Sequence, residues 1–212
     1  MVSNFVAARE LLQKLKKAGA IRAEPPVQPG VPRLIDVGLR HVVHSDASWA
    51  KKLAQPFYTA VAMAYDVGNS VRRPRPFGLI SATVGIEPIV TVLGMLFSQA
   101  LAIDFIIPMP AALTRMRNGD NEIHIYGGPQ PNYCYALLDD ISRGGGTIIE
   151  KLYFWVRHGY QVDQVIVFTD RGEGGIRAIM AAAEEMSKAR GFAITVSCLI
   201  TPEEILQVID EQ

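Results

Sequence analysis

Short apolar runs alternate with stretches of helical periodicity along most of this chain. Runs such as 77–82 and 164–169 are apolar almost throughout, as strands covered on both faces of a sheet are. Strands are predicted at 77–82, 103–108, 122–126, 133–138, 164–169 and 192–197, and helices at 1–18, 48–65, 88–100, 146–158, 175–190 and 202–211. Because parallel strands are joined by crossovers, usually helices, this alternation predicts an α/β fold with a central, mostly parallel sheet flanked by helices.

A single domain accounts for the length and composition of the chain. Its 212 residues suffice for one extensive core, and no stretch has the composition of an interdomain linker. Four prolines in 23–33 exclude a regular helix there and predict an extended arm. We therefore predict one domain over 1–212, in which residues 1–45 form an N-terminal helix and a small hood and residues 46–212 form the α/β core.

Charge and cysteine usage argue against several classes of protein. The 21 Lys and Arg residues are balanced by 21 Asp and Glu residues, whereas binding of duplex nucleic acid through bulk charge needs a basic surplus. Cys134 and Cys198 lie in apolar runs, which predicts buried thiols in a reducing compartment. The most hydrophobic stretch, 88–103, is shorter than the roughly 20 apolar residues of a membrane span. We expect a cytoplasmic protein that binds neither nucleic acid nor membrane.

The segment 135–150 carries the strongest functional signal. A strand predicted to end at residue 138 leads into Asp139 and Asp140, so both acids are expected in an exposed loop. Glycines then let backbone N–H groups converge on an anion at a helix N-terminus, and paired carboxylates suit vicinal sugar hydroxyls or a phosphate-held metal. Further donors in the loop are Ser142, Arg143 and Thr147. The pattern favours a sugar phosphate as ligand; the plainer interpretation is a capped helix start with a glycine turn.

The part of this segment that reads LLDDISRGGGT, 137–147, resembles the PRPP-binding signature of type I phosphoribosyltransferases, where PRPP is 5-phosphoribosyl 1-pyrophosphate. VIVFTDRGEGG at 165–175 is similar to the strand and Asp-Arg turn of orotate phosphoribosyltransferases, and SATVGIEPIV at 81–90 resembles their pyrophosphate turn. The segments 192–211 and 34–39 resemble their closing strand and helix and the end of their hood. The chain is thus similar to the orotate phosphoribosyltransferase family, in order and over nearly its whole length.

The resemblance implies a type I phosphoribosyltransferase fold and a homodimer. It implies transfer of phosphoribosyl from PRPP to a pyrimidine base, in the first place orotate. Mg²⁺ would be carried in by PRPP, and Asp139 and Asp140 are the only protein residues expected to contact it. Asp139 and Asp140 would bind the ribose hydroxyls, and the implied catalytic residues are Asp139, Asp140, Arg115 and Arg117. Those for the 5-phosphate are Ser142, Arg143, Gly144, Gly145, Gly146 and Thr147. Those for pyrophosphate are Ala82, Thr83, Val84 and Gly85, and those for the base are Arg171 and Arg33.

Two segments depart from the family pattern. Arg143 stands where the phosphate loop usually begins with Thr, and 113–120, at the place of the family's mobile loop, has arginines but no lysine. We predict that this segment is a loop, poorly ordered without ligand, that brings Arg115 and Arg117 to the leaving pyrophosphate across the dimer. These departures leave two alternatives: a transferase for another base, or a non-catalytic regulator that binds PRPP or a nucleotide.

Overall fold

The structure is a computed structural model that describes residues 2–25, 33–65, 77–83, 85–101, 112–116, 123–125 and 133–211. The helices in these ranges are α1 Val2–Lys17, α2 Leu39–Ser45, α3 Ser48–Ala64, α4 Glu87–Leu101, α5 Gly146–Arg157, α6 Gly175–Arg190 and α7 Pro202–Asp210. The strands are β1 Ile21–Ala23, β2 Ile35–Val37, β3 Phe77–Ser81, β4 Ala112–Met116, β5 Ile123–Ile125, β6 Cys134–Ser142, β7 Gln161–Asp170 and β8 Thr195–Ile200.

The main sheet has the strand order β5-β4-β3-β6-β7-β8. Strands β4, β3, β6, β7 and β8 run parallel to their neighbours, and β5 lies antiparallel at one edge. The prediction of an α/β fold with a mostly parallel sheet is therefore confirmed. After β3 the chain moves toward β4, and after β6 it moves toward β7 on the other side. The carboxyl ends of β3 and β6 thus form the switch point where ligands bind in such sheets.

Each face of the sheet has its own apolar core, because successive side chains of a strand point to opposite faces. On one face, Leu79, Ala136 and Phe168 pack with apolar residues of α1, α3, α4 and α7. On the other, Leu137 and Val167 pack with α5 and α6. These two layers hold β3 and β6 rigidly and leave their carboxyl ends free for a site.

Helix α4 is the apolar helix that the sequence predicts at 88–100. Ile89, Leu93 and Phe97 on it are buried, and the ring of Phe97 meets that of Phe77 edge to face, with centroids 5.2 Å apart. Its hydrophobicity is thus explained by packing between the sheet and α3. Across the ranges that the structure describes, every helix is too short or too polar to cross a membrane.

The N-terminal layer is joined to the end of the chain. Strands β1 and β2 form an antiparallel pair, and α1 lies against α7. Lys16 Nζ donates to the Val208 carbonyl at 3.1 Å, and Arg9 pairs with Glu211 at 2.6 Å. The last helix therefore packs with the N-terminal elements. The tip of the predicted arm, 26–32, lies outside the described residues.

Several predicted boundaries are confirmed. Helices α5 and α6 begin at the predicted residues, and α7 begins after Thr201 as predicted. Thr201 Oγ1 accepts from the Glu204 N–H, and Glu204 Oε2 accepts from the Thr201 N–H, which closes a capping box. The predicted strand 192–197 starts too early, because β8 begins only at Thr195. The predicted strand 103–108 lies outside the described residues.

Two predictions about local structure are wrong. Residues 112–116 form β4 instead of a loop, with Arg115 opposite His124 in the ladder with β5. Strand β6 continues beyond residue 138 to Ser142, because it stays paired with β7 up to Ser142 opposite Asp170. The acid pair therefore lies within the strand and not in a loop after it.

Candidate active site

The turn after β3 meets the acid pair at the switch point. The Ala82 N–H donates to the Leu138 carbonyl at 2.8 Å, and Thr83 Oγ1 donates to Asp139 Oδ1 at 2.9 Å. A methyl group placed on Gly85 would lie 3.5 Å from Asp140 Oδ2. Two segments far apart in sequence, predicted to bind pyrophosphate and ribose, thus form one surface; Val84 lies outside the described residues.

Asp139 is buried and Asp140 is half-buried, which corrects the expectation of an exposed loop. Asp139 is only 3% exposed. Burial, and then the negative charge of Asp140, raise the pKa of Asp139, and burial also raises the pKa of Asp140. A hydrogen bond between the two carboxyls favours the proton on Asp139. Asp139 and Asp140 therefore share a proton, and a positive charge placed next to them would favour its release.

This electrostatic arrangement predicts an unusual dependence of stability on pH. Because both carboxyls have a raised pKa in the folded state, the pair holds more protons in the folded protein than in the unfolded chain, so the contribution of the pair to stability falls as pH rises above about 4. We expect Asp139→Asn to remove part of this loss and to be more stable than wild type by at least about 1 kcal/mol near pH 9. Urea unfolding at several pH values measures the difference.

Asp46→Asn is the matched control, because hydrogen bonds from Ser48 lower the pKa of the Asp46 carboxyl. This carboxyl stabilises the fold above its unfolded pKa, so its replacement should give no gain at high pH. Parallel pH profiles for Asp139→Asn and wild type would contradict the buried, protonated state of the pair.

The glycine turn after β6 presents open backbone groups at the start of α5. Gly144, Gly146 and Thr147 are exposed, and the first N–H groups of a helix lack intrahelical partners. Gly145 adopts the left-handed conformation with φ +78. A helix start of this kind attracts a phosphate through its free donors and its dipole. Arg143 beside it is exposed and adds a cation to the same loop.

The Ser142 side chain, expected to bind a phosphate, is buried in the interior. It is 2% exposed, and its Oγ has no hydrogen-bond partner among the described residues. The start of α6 lies against it: a Cβ on Gly175 would lie 2.0 Å from Ser142 Oγ and 2.2 Å from the Arg143 carbonyl oxygen. The turns after β6 and β7 therefore touch through their backbones, which fixes the position of the phosphate loop.

Arg171 lies at the carboxyl end of β7 and is held by two carboxylates. Its Nη2 donates to Glu24 Oε1, and its Nε lies 2.7 Å from Glu173 Oε1. The backbone N–H of Arg171 donates to the Ser142 carbonyl at 2.8 Å, so its main chain is also bonded to the end of β6, next to the glycine turn. Sequence reasoning missed Glu24, because it is 147 residues away from Arg171 in the chain. It assigned no role to Glu173, although this residue lies two positions after Arg171 in the same motif.

The remaining predicted site residues are not brought to the acid pair by any described contact. Arg33 Nη1 donates to Asp210 Oδ1 of α7 at 2.6 Å. Arg115 lies in the backbone ladder between β4 and β5, and Arg117 lies outside the described residues. Their predicted roles at the base and the pyrophosphate stay predictions.

A cation site, if one forms here, needs oxygen atoms from the substrate. Within the described ranges no three His, Cys, Asp or Glu side chains cluster as metal ligands. Asp139 and Asp140 alone supply carboxylate oxygens at the switch point. Mg²⁺ commonly takes one or two carboxylates together with substrate phosphates and water, so the acid pair fits an ion that is carried in by PRPP.

Arg40 is a neighbour of the acid pair that sequence reasoning missed. It lies in α2, and the same methyl group on Gly85 would lie 4.0 Å from its Cδ. Together with Asp140, Arg22 and His41 it lines a cavity of about 240 Å³. The sequence around it has no motif, and only the packing of α2 beside the turn after β3 reveals its place.

Comparison with solved structures identifies the fold. The orotate phosphoribosyltransferase of Francisella tularensis matches with a TM-score of 0.62 at 16% identity, covering 96% of this chain and 91% of that one. UMP synthase of Leishmania donovani matches with a TM-score of 0.60 at 15% identity; the match covers 95% of this chain, which spans only 38% of that longer one. Adenine phosphoribosyltransferase of Trypanosoma brucei, solved with AMP, pyrophosphate and ribose-5-phosphate, matches with a TM-score of 0.53 at 16% identity over 92% and 80% of the two chains.

The chain has the type I phosphoribosyltransferase fold, as its sequence motifs predict. No protein-family model matches the sequence, and no curated protein matches it either. At identities below 20% the structural likeness establishes the fold, and function has to be argued from the site itself.

Proposed function

We propose that this protein is an enzyme that transfers the phosphoribosyl group of PRPP to a nitrogenous base. One observation carries the proposal: Thr83 of the turn after β3 is hydrogen-bonded to the buried Asp139, directly before an open glycine turn at the start of α5. A sugar with a phosphate at one end and a pyrophosphate at the other has matching partners on these three elements.

The acid pair supplies the charge that the reaction needs. A base nitrogen forms a bond to the anomeric carbon, and the bond to the pyrophosphate oxygen breaks with its electron pair leaving on that oxygen. Positive charge grows on the ribose, and Asp139 and Asp140 stabilise it after their shared proton has passed to water. A proton on the attacking base nitrogen likewise passes to water once the new bond has formed. Mg²⁺ held by these carboxylates and by substrate oxygens would neutralise the departing pyrophosphate.

The phosphate end of the substrate would be bound by backbone groups. The first N–H groups of α5 lack intrahelical partners, and Gly144, Gly146 and Thr147 beside them are exposed, which supports a phosphate at this helix start. Arg143, exposed beside them, can bind a phosphate with two parallel hydrogen bonds. Binding at this remote end holds the anomeric carbon against the acid pair.

Orotate is the first candidate acceptor. The neighbouring folds that are orotate phosphoribosyltransferases support it, and Arg171 is the cation expected to bind its carboxylate. A second candidate, a base without a carboxylate, is favoured by Glu24 and Glu173, which already bind the Arg171 guanidinium. Two carboxylates around one guanidinium leave a net negative charge, which would repel an anionic base.

Replacement of Arg171 separates these candidates. With orotate as acceptor, Arg171→Ala should lower kcat/KM for the base by about 10²-fold, as loss of a charge-assisted contact does, while the affinity for PRPP changes little. Steady-state kinetics with orotate, adenine and uracil at saturating PRPP measure this. Glu173→Gln should raise kcat/KM for orotate if the glutamate repels that base. Glu203→Gln on α7 is the control and should leave kcat/KM for orotate unchanged.

Release of pyrophosphate from PRPP tests the proposal itself. Wild-type protein with PRPP, Mg²⁺ and a panel of bases should release pyrophosphate only when the correct base is present. PRPP binding without release for any base would leave the non-catalytic regulator as the function.

We further propose a cytoplasmic homodimer in which the segment 113–120 acts across the interface. Light scattering should then give about twice the chain mass of 23.2 kDa.

A further inference from the structure

Arg40 stands beside the turn predicted to bind pyrophosphate. It is the second residue of α2. A methyl group on Gly85 would lie 4.0 Å from Arg40 Cδ and 3.5 Å from Asp140 Oδ2. The side chains of Arg40 and Asp140 therefore lie on the same side of Gly85, each within 4.0 Å of the place where a Cβ would be.

The Arg40 guanidinium is available to a ligand. Its side chain is exposed and, within the described ranges, forms neither a hydrogen bond nor an ion pair. Other arginines near the N-terminal layer are already bound: Arg22 pairs with Asp36 at 2.9 Å, and Arg33 pairs with Asp210 at 2.6 Å. The charge of Arg40 also reaches the site, since it counteracts the rise in the pKa of Asp140.

The cavity beside Arg40 can take a small anion. Its volume is about 240 Å³, and its charged and histidine lining residues are Asp140, Asp36, Arg22, Arg40 and His41. Arg40 is the unpaired guanidinium among these residues, and the turn with Thr83 and Gly85 lies next to it. An anion that leaves the sugar at the acid pair would therefore have the Arg40 guanidinium beside it.

We propose that Arg40 binds the pyrophosphate leaving group and stabilises the charge that it gains. The inference rests on the proposed phosphoribosyl transfer and names a residue that this reaction needs. As the bond from the anomeric carbon to oxygen breaks, its electron pair stays on the pyrophosphate oxygen. The guanidinium then faces more negative charge than it did in the bound substrate and lowers the barrier. Arg40 keeps its proton throughout, because its pKa stays above about 12.

Binding of inorganic pyrophosphate to Arg40→Ala tests the assignment. In calorimetry with Mg²⁺ present, the affinity for pyrophosphate should fall by at least about tenfold, as loss of a charge-assisted contact does. Affinity for ribose 5-phosphate should stay unchanged, because that probe occupies the acid pair and the glycine turn. In steady-state assays kcat should fall more than the KM for the base rises, and added guanidinium at a non-denaturing concentration should restore part of the loss.

Two further variants provide controls. Arg22→Ala removes a cation from the same cavity that is already paired with Asp36, and it should bind pyrophosphate as wild type does. Arg40→Lys keeps the charge without the planar donors and should retain an intermediate affinity. If Arg40→Ala fails to fold, Arg40→Gln is measured in its place with the same expectations.

Ribose 5-phosphate distinguishes the two ways in which the idea can fail. Wild-type protein that binds neither probe contradicts the proposed function as a whole. Wild-type binding of both probes, together with unchanged pyrophosphate affinity in Arg40→Ala, overturns the role of Arg40 alone. A shifted pH profile with unchanged pyrophosphate affinity has the same meaning, because Arg40 would then act only on the ionisation of Asp140.

Discussion

Asp139→Asn combined with Asp140→Asn should lower kcat/KM for phosphoribosyl transfer by about 10³-fold or more, because both charges that face the developing positive sugar are lost. The fold should survive, since asparagine keeps an oxygen that can accept from Thr83 and removes two charges that are costly to bury. Release of pyrophosphate and the melting temperature measure the two effects. Glu184→Gln with Glu185→Gln is the matched control, because it neutralises two adjacent acids on α6, away from the site. Near-normal turnover in the first variant would mean that the sugar binds elsewhere.

Gly175→Ala should destabilise the fold more than any substitution at the acid pair or at Arg40. A Cβ at this position would lie 2.0 Å from Ser142 Oγ and 2.2 Å from the Arg143 carbonyl oxygen. The carbonyl belongs to the backbone of the phosphate loop and cannot rotate away, so we expect a loss of roughly 3 kcal/mol in the free energy of unfolding. Urea denaturation measures it.

Gly144→Ala is the control for this substitution, because a Cβ on Gly144 would meet no atom within 4 Å. It should change stability by no more than about 0.5 kcal/mol. Equal stability of the two alanine variants would show that the turns after β6 and β7 do not touch as described. A folded Gly175→Ala protein should also bind ribose 5-phosphate more weakly, since its phosphate loop has to move.

The sheet and its helices were predictable because their signals are local. A run such as 164–169 has to be buried on both faces to be so apolar, and it became the centre of β7. Gly174, with its left-handed φ of +87, and Thr201 mark helix starts through conformational freedom and capping, which depend only on neighbours in sequence. The motif around Asp139 was likewise visible because its residues are consecutive.

The features that were missed depend on contacts between distant segments. Sequence reasoning ended β6 at residue 138, where polar residues begin, whereas pairing with β7 carries it to Ser142 and buries Asp139. Residues 112–116 looked like a polar loop and became a strand because β3 and β5 pair with them. Helix α2 has seven residues and no side-chain cap, so nothing local to it indicated that Arg40 lies beside the acids.

The packing of α1 on α7 sets the order in which this protein can mature on the ribosome. Leu11, Leu12 and Leu15 belong to the same buried cluster as Ile205 and Val208, which lie almost 200 residues later in the chain. At 5–20 residues per second, the first helix waits roughly 10 to 40 s for its partner. During that interval its leucines are exposed and are a site where chaperones can bind. The hood that carries Glu24 and Arg40 can therefore settle only once α7 has left the ribosome.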